Sequence, residues 1–273
     1  MQTASSSLIS EFSAAVWRNY EAAGRRFPWR ETDDPYAVMV SEFMLQQTQT
    51  NRVVAKYEAW LSRFPDVQSA ADAPLSEVLS LWNGLGYNRR AKFLHESCRK
   101  ICADYGGVLP CDAELLDALP GIGPYTARAV AAFAFNKAEA FIETNIRSAF
   151  IYFFFPGAAS VSDAEILPLV EQTLDRERPR EWYYALMDYG AAVKRRTENP
   201  SRRSASYARQ SKFEGSLRQA RGAILRQLSK NGSAALADIA AAEHIDMERL
   251  ASAAQRLAEE RLVRESGGRY SFC

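Results

Sequence analysis

The chain contains few of the residues that metal and redox sites most often require. Its 273 residues include only two histidines and four cysteines. With only His95 and His244, the chain cannot form a histidine-rich metal site. It can form a histidine-based triad only if one of these two takes part. Cys98 and Cys102 lie one helical turn apart on a predicted helix, where side chains are poorly placed for a disulfide. We therefore expect reduced cysteines, as is typical of cytosolic proteins.

Long apolar runs and a strong net charge are also absent. The most apolar run, residues 150–155, is far shorter than the roughly 20 residues that a membrane-spanning helix needs. The polar N-terminus shows no signal-peptide pattern, so we expect no membrane association. The formal net charge is +1. Overall charge therefore does not indicate a nucleic-acid partner, and any such contact would depend on local charge.

Helical periodicity runs through the first two thirds of the chain. Apolar residues recur three and four positions apart, as on one face of an amphipathic helix, and no convincing strand precedes about residue 260. The main predicted helices span residues 8–23, 38–49, 51–64, 91–105, 125–135, 166–174 and 182–194. This part is therefore predicted to be all-α.

Basic residues are concentrated in residues 194–226. This stretch carries ten lysines and arginines against two glutamates, a local charge of about +8. It is either a solvated linker or a phosphate-contacting segment, and we favour phosphate contact. The candidate DNA-contacting residues are Arg195, Arg196, Arg202 and Arg203.

The last 60 residues show a different pattern. Three predicted helices, at about residues 217–228, 236–243 and 247–260, precede two short strands around Ser266-Gly267-Gly268. A Gly-Gly pair between β-rich runs is typical of a hairpin. Three helices followed by a hairpin is the order of a winged helix, a module that binds DNA in some proteins and other proteins elsewhere.

A second tight turn occurs at Pro120-Gly121-Ile122-Gly123, between two predicted helices. Glycines allow backbone conformations that other residues rarely adopt. The following helix, which begins near Tyr125 and Thr126, would present backbone N–H groups to a phosphate at its N-terminus. We therefore predict backbone-directed DNA contact at Gly121, Gly123 and Thr126, although an ordinary turn between helices would have a similar pattern.

Several motifs together resemble the helix-hairpin-helix DNA glycosylases, in particular the adenine-specific MutY family. The hairpin is one of them, and the resemblance extends from about residue 27 to residue 189. The other motifs are Phe27-Pro28-Trp29-Arg30, residues 41–49, residues 82–87, Asn145-Ile146-Arg147 and Met187-Asp188-Tyr189-Gly190. The superfamily also contains endonuclease III-like and thymine-mismatch enzymes.

This resemblance implies a fold and a function. The fold would be all-α and two-lobed, with a helical core over residues 1–193, a basic linker over 194–213 and a winged-helix-like α+β domain over 214–273. The function would be that of a monomeric repair enzyme at the nucleoid. It would flip a damaged or mispaired base, most often an adenine-type purine, out of duplex DNA and hydrolyse its N-glycosidic bond.

The resemblance also implies roles for four residues. Glu42 matches the glutamate that protonates the departing base, and its apolar neighbours would raise its pKa. Glu143 stands where the family has an aspartate that stabilises the cationic sugar, and Asn145 matches an asparagine that supports this carboxylate. Tyr125 stands where bifunctional relatives have a Schiff-base lysine, which implies a monofunctional enzyme. Structural roles for Glu42 and Tyr125 remain alternatives.

Two more residues match side chains that wedge into DNA near the lesion. These are Gln47 and Tyr87, and core packing is the alternative role for Tyr87. Most family members also hold an iron–sulfur cluster on four clustered cysteines after the Met-Asp-Tyr-Gly motif. Only Cys273 lies beyond residue 111, so we expect no cluster. A monovalent cation at the hairpin is the one bound ion that the resemblance leaves open.

The adenine-specific relatives usually carry a further C-terminal domain, related to pyrophosphohydrolases, that recognises 8-oxoguanine. The tail here has the winged-helix pattern instead, so the base pair recognised remains open. The alternative function is a non-catalytic sensor of damaged DNA. A glycosylase with lyase activity is a third, disfavoured by Tyr125.

Overall fold

The computed structural model describes residues 4–209 and 212–273, which form fourteen α-helices and a small sheet. The helices are α1 Ser6–Ala23, α2 Pro35–Leu45, α3 Thr50–Arg63, α4 Val67–Asp72, α5 Leu75–Trp82, α6 Arg89–Tyr105, α7 Ala113–Asp117, α8 Pro124–Phe135, α9 Thr144–Phe154, α10 Asp163–Thr173, α11 Pro179–Arg196, α12 Leu217–Asn231, α13 Leu236–Glu243 and α14 Met247–Glu259. The strands are β1 Ser233–Ala234, β2 Val263–Ser266 and β3 Arg269–Phe272. The predicted all-α core with a small C-terminal α+β region is confirmed.

The first unit consists of residues 4–38, 111–118 and 122–209. Its core is aromatic: Phe12 of α1 meets Phe150 of α9 at a ring distance of 4.8 Å and Trp182 of α11 at 6.3 Å. All three side chains are fully buried. Edge and tilted ring contacts of this kind add to the free energy of burial, and they hold α9 and α11 side by side.

The second unit consists of residues 39–110, 119–121 and 212–273. Trp60 of α3 and Trp82 of α5 meet edge to face at 5.9 Å, and both are buried. The predicted winged-helix segment, with α12 to α14 and the three strands, lies in this unit, and its helix α12 packs against α5. Its sheet has the order β1-β3-β2, and both pairings are antiparallel.

Two local predictions were wrong. The predicted helix over residues 38–49 ends at Leu45, because the chain leaves helical geometry and Gln47 has a φ of 54°. The strand β1 at Ser233–Ala234 was missed, because two residues are too short to show an alternating pattern. With β1 between α12 and α13, the order of elements is that of a complete winged helix.

Within the described residues, no helix is long and apolar enough to cross a membrane.

Candidate active site and DNA interface

Glu42 lies on α2 with its side chain almost entirely removed from solvent, at 8% exposure. Its neighbours Met39, Val40 and Phe43 are fully buried. The position therefore suits the predicted general acid.

Glu143 stands immediately before α9 and caps its N-terminus. One carboxylate oxygen accepts hydrogen bonds from the backbone N–H groups of Asn145, at 2.6 Å, and Ile146, at 2.8 Å. The other oxygen accepts from the Asn145 side chain at 3.2 Å. Burial raises the pKa of the Glu143 carboxyl, while these amides and the nearby Lys194 ammonium counteract part of that rise. Asn145 thus contacts the Glu143 carboxylate through both its backbone and its side chain.

Lys194 extends this network and was not identified from the sequence as part of it. Its ammonium group donates to the Asn145 side-chain oxygen at 3.0 Å, and burial lowers its pKa. Gly190, one turn earlier on α11, brings the two helices into direct backbone contact: a Cβ at Gly190 would lie 1.9 Å from the Asn145 carbonyl oxygen. The glycine of the Met-Asp-Tyr-Gly motif is thus required by this close approach.

The aspartate of the same motif binds the Phe-Pro-Trp-Arg motif. Asp188 is 3% exposed and accepts from both terminal nitrogens of Arg30 at 3.0 Å. It also accepts from the backbone N–H and the Nε of Arg25, each at 2.7 Å. Two motifs more than 150 residues apart are therefore partners in one buried ion-pair network. The sequence indicates both motifs but not their pairing.

The predicted hairpin leads into α8, which begins with Pro124 in its first turn. Gly121 has a φ of 73°, and a Cβ there would lie 2.5 Å from the Cβ of Phe93, so only glycine fits. Gly123 has open space around it. None of the residues that the structure describes therefore requires glycine at position 123, and the open space is consistent with close approach by a ligand backbone.

Tyr125 and Thr126 follow Pro124 in the first turn of α8, and neither is exposed. Tyr125 is half-buried and packs edge to face on Phe141 at 5.7 Å. Thr126 is 4% exposed, so its side chain is not presented to solvent. A phosphate contact at Thr126 would have to use its backbone N–H in the first turn of α8.

Gln47 and Tyr87 both adopt left-handed backbone conformations, with φ of 54° and 46°. Gln47 is exposed and Tyr87 is 38% exposed, so Tyr87 is not a core residue. Strained backbone of this kind persists only where the surroundings enforce it, and it is often found at functional sites.

Arg90 contacts the segments on either side of these two residues, and the sequence did not single it out. Its guanidinium is buried and donates to the carbonyls of Phe43 at 2.8 Å, Gln46 at 2.6 Å and Gly86 at 3.0 Å, among others. It thereby caps α2 and ties the Gln47 loop to the turn that carries Tyr87. Burial lowers the pKa of Arg90 to about 10, so it stays charged at neutral pH.

Of the four predicted phosphate-contacting arginines, three are exposed: Arg195, Arg196 and Arg202. Arg203 differs, because its guanidinium donates to the carbonyls of Phe155 at 2.8 Å, Ala158 at 3.1 Å and Ile151 at 3.3 Å. Those donors are directed at the end of α9, so we assign Arg203 a structural role.

Residues 40–195, more than half of the chain, match the family of HhH-GPD superfamily base excision DNA repair proteins. The chain belongs to this superfamily. It is 41% identical over 192 residues to an adenine DNA glycosylase of Mycobacterium tuberculosis strain H37Rv, covering 68% of this chain and 62% of the relative. It is 36% identical over 197 residues to the human adenine DNA glycosylase, covering 68% of this chain and 36% of the relative. The chain thus spans less than two thirds of either relative.

Solved structures agree with this assignment. A thermostable thymine-DNA glycosylase superposes with a TM-score of 0.61 and 26% identity, covering 68% of this chain and 87% of the other. Endonuclease III in a trapped DNA covalent intermediate superposes with a TM-score of 0.56, covering 70% of this chain and 88% of that one; its 16% identity supports the shared fold alone. The predicted HhH glycosylase fold is confirmed.

This HhH-GPD chain does not provide the ligands of an iron–sulfur cluster. Its cysteines are Cys98 and Cys102 on α6, Cys111 before α7, and Cys273 at the C-terminus. Within residues 4–209 and 212–273, no three His, Cys, Asp or Glu side chains come together as a metal site. The residues present therefore do not fit the cluster.

A short 3-10 helix, Pro200–Arg203, follows α11. Its Ser201 hydroxyl donates to the Thr144 carbonyl at the start of α9 at 3.0 Å, while Arg203 caps the end of α9. The segment therefore holds both ends of the helix that Glu143 begins.

Proposed function

We propose that the protein is a monofunctional DNA glycosylase that removes a mispaired or damaged base, most often adenine, from duplex DNA. The observation that carries this proposal is that two buried carboxylates, Glu42 on α2 and Glu143 at the N-terminus of α9, stand at the predicted positions in a chain of the base excision repair superfamily. The adenine DNA glycosylases at 36–41% identity support adenine as the base.

The chemistry follows from the two environments. Glu42, which is buried on α2, donates a proton to a ring nitrogen of the base as the bond from the sugar carbon to the base nitrogen breaks. The base leaves with the bonding electron pair and the proton. The sugar is left with oxocarbenium character, and an anionic carboxylate stabilises that charge.

Glu143 is suited to this second task. Its carboxylate is fixed by two backbone amides and by the Asn145 side chain, so little reorganisation is needed when the positive charge develops. Water then adds to the sugar carbon and releases a proton, which restores the protonated form of Glu42.

The reaction ends at the abasic site because Tyr125 replaces the lysine that would attack the sugar. A phenol cannot form a Schiff base, so the proposed enzyme does not cut the strand. We also propose that it works without an iron–sulfur cluster, with the 3-10 helix Pro200–Arg203 securing α9 instead.

The test is base release from a panel of labelled duplexes. The panel carries adenine opposite 8-oxoguanine or guanine, thymine or uracil opposite guanine, hypoxanthine, and alkylated or oxidised bases, with abasic sites revealed by alkali. We expect release of adenine that is lost in Glu42→Gln, with no strand cleavage before alkali. Tight binding without release from any duplex would instead indicate a DNA sensor.

A further inference from the structure

The second unit contains a cavity of about 390 Å³ beside the two strained residues. Its size is within the usual range for small-ligand pockets. Gln47 and Tyr87 line this cavity. Arg221 of α12 and Glu260, which directly follows α14, line it as well. The C-terminal α+β region thus supplies part of the wall of a cavity that the two predicted wedge residues also line.

Arg221 and Glu260 form a fork-to-fork pair at the cavity wall. The terminal nitrogens of Arg221 lie 3.0 Å and 2.6 Å from the two carboxylate oxygens, and the side chains are 19% and 24% exposed. The Lys92 ammonium donates to the Glu260 backbone carbonyl at 2.7 Å, which fixes the pair against α6. The arginine is therefore held in place before any ligand arrives.

The pair presents hydrogen-bond donors with little net charge. The guanidinium has five N–H groups, and the fork to Glu260 uses two of them. The remaining donors have no other partner among the residues that the structure describes. Because Glu260 neutralises the arginine, this wall suits an uncharged acceptor such as a nucleobase edge better than a phosphate.

The adjoining residue Tyr87 indicates which base would be there. A flipped base leaves its partner on the opposite strand unpaired, and wedging side chains fill the gap beside that partner. The Tyr87 hydroxyl accepts from Arg218 of α12 at 3.4 Å, so the same helix that carries Arg221 also touches the wedge residue. The opposite-strand base would therefore lie next to both.

We propose that Arg221, held by Glu260, reads the base opposite the excised one, and that it selects a guanine-type base through the acceptors of its major-groove edge. Arginine donating to such an edge is the commonest specific protein–DNA base contact. This inference rests on the proposed function. It gives the winged-helix module the task of partner-base recognition at the wedge.

The test measures partner-base preference by binding, without base release. Duplexes carry a tetrahydrofuran abasic analogue opposite guanine, 8-oxoguanine, cytosine or thymine. For the full-length protein we expect Kd to be about five- to a hundredfold lower opposite the two guanine-type bases. In the double variant R221Q/E260Q, which keeps a neutral hydrogen-bonded pair, we expect the ratio of Kd for the pyrimidine partners to Kd for the guanine-type partners to fall toward one. Arg221→Gln alone, with Glu260 retained, should give the same loss and serves if the double variant folds poorly.

The control is R226Q/E243Q. Arg226 lies on the same helix and forms the same kind of forked pair with Glu243, but neither residue lines the cavity. We expect this variant to keep both the preference and the excision rate of the unmodified protein. Equal Kd values in the unmodified protein, an unchanged ratio in R221Q/E260Q, or equal weakening of all duplexes would overturn the inference. Absence of base release would count against the proposed function alone.

Discussion

At the scale of single residues, Gly190 shows how closely the site depends on backbone contact. A methyl group there would overlap the Asn145 carbonyl, 1.9 Å away, and neither backbone can move cheaply. We expect Gly190→Ala to lower the free energy of unfolding by at least ~2 kcal/mol. Because the displaced α9 carries Glu143, the single-turnover excision rate should fall on the order of a hundredfold. Urea denaturation and rapid-quench assays measure the two effects.

The matched control is Gly222→Ala, on α12. No atom lies within 4 Å of a Cβ there, so alanine should be neutral or should stabilise the helix by about 0.5–1 kcal/mol. Equal behaviour of the two variants would show that the close approach at Gly190 is not a constraint.

The pKa of Glu143 gives a second prediction at this scale. Glu143 must be ionised to stabilise the sugar cation, and burial raises its pKa. As the pH is lowered, excision should therefore begin to slow at a higher pH than if Glu143 had the ordinary glutamate pKa of about 4.3. The Lys194 ammonium favours the ionised form. Lys194→Met should therefore raise the pKa further and move the acid limb of the single-turnover pH–rate profile upward.

Lys230→Met, an exposed lysine of α12, is the control for that profile and should leave it unchanged. If the acid limb does not move in Lys194→Met, Lys194 does not influence the ionisation of Glu143.

At the scale of elements, what the sequence could reveal depended on whether the signal was local. The hairpin before α8 was predictable because Gly121 and Gly123 lie together in the chain. The end of α2 at Leu45 was not predictable, because the carbonyls there are bound by Arg90, which lies more than 40 residues away in the sequence. The glutamate that begins α9 was assigned only by resemblance, whereas its cap shows physically why a carboxylate occupies position 143.

Arg90 gives the prediction at this scale. Arg90→Met would leave several carbonyls of α2 and of the Tyr87 turn without their donor, each of which costs about 1–3 kcal/mol when buried. We expect a loss of ~3 kcal/mol or more in urea denaturation, and weaker binding to abasic-site duplexes because Gln47 and Tyr87 are no longer held. Arg89→Met, at the exposed neighbouring position, should stay within about 0.5 kcal/mol of the unmodified protein. Equal stability of the two variants would contradict this role for Arg90.

At the scale of the whole molecule, the sequence indicated a winged helix but not its neighbours. The pattern of residues 214–273 is local, whereas the packing of α12 along α5 and the contact between Arg218 and Tyr87 join residues more than 100 positions apart. The periodicity of a single sequence gives no information about which distant residues pair in this way. The same holds for Asp188 and Arg30, whose motifs were visible separately.

Charge gives the last prediction, because a net charge of +1 makes DNA binding depend on a few local cations. Arg195, Arg196 and Arg202 are exposed, and removing one arginine–phosphate interaction should reduce the slope of log Kd against log salt by about 0.9. We therefore expect the triple glutamine variant to bind duplex DNA more weakly at low salt and to show a clearly shallower slope. Arg203→Gln should instead lower the melting temperature and leave the slope unchanged, because its donors face the carbonyls at the end of α9. An unaltered slope in the triple variant would assign phosphate binding to other residues, and a shallower slope in Arg203→Gln would contradict its structural role.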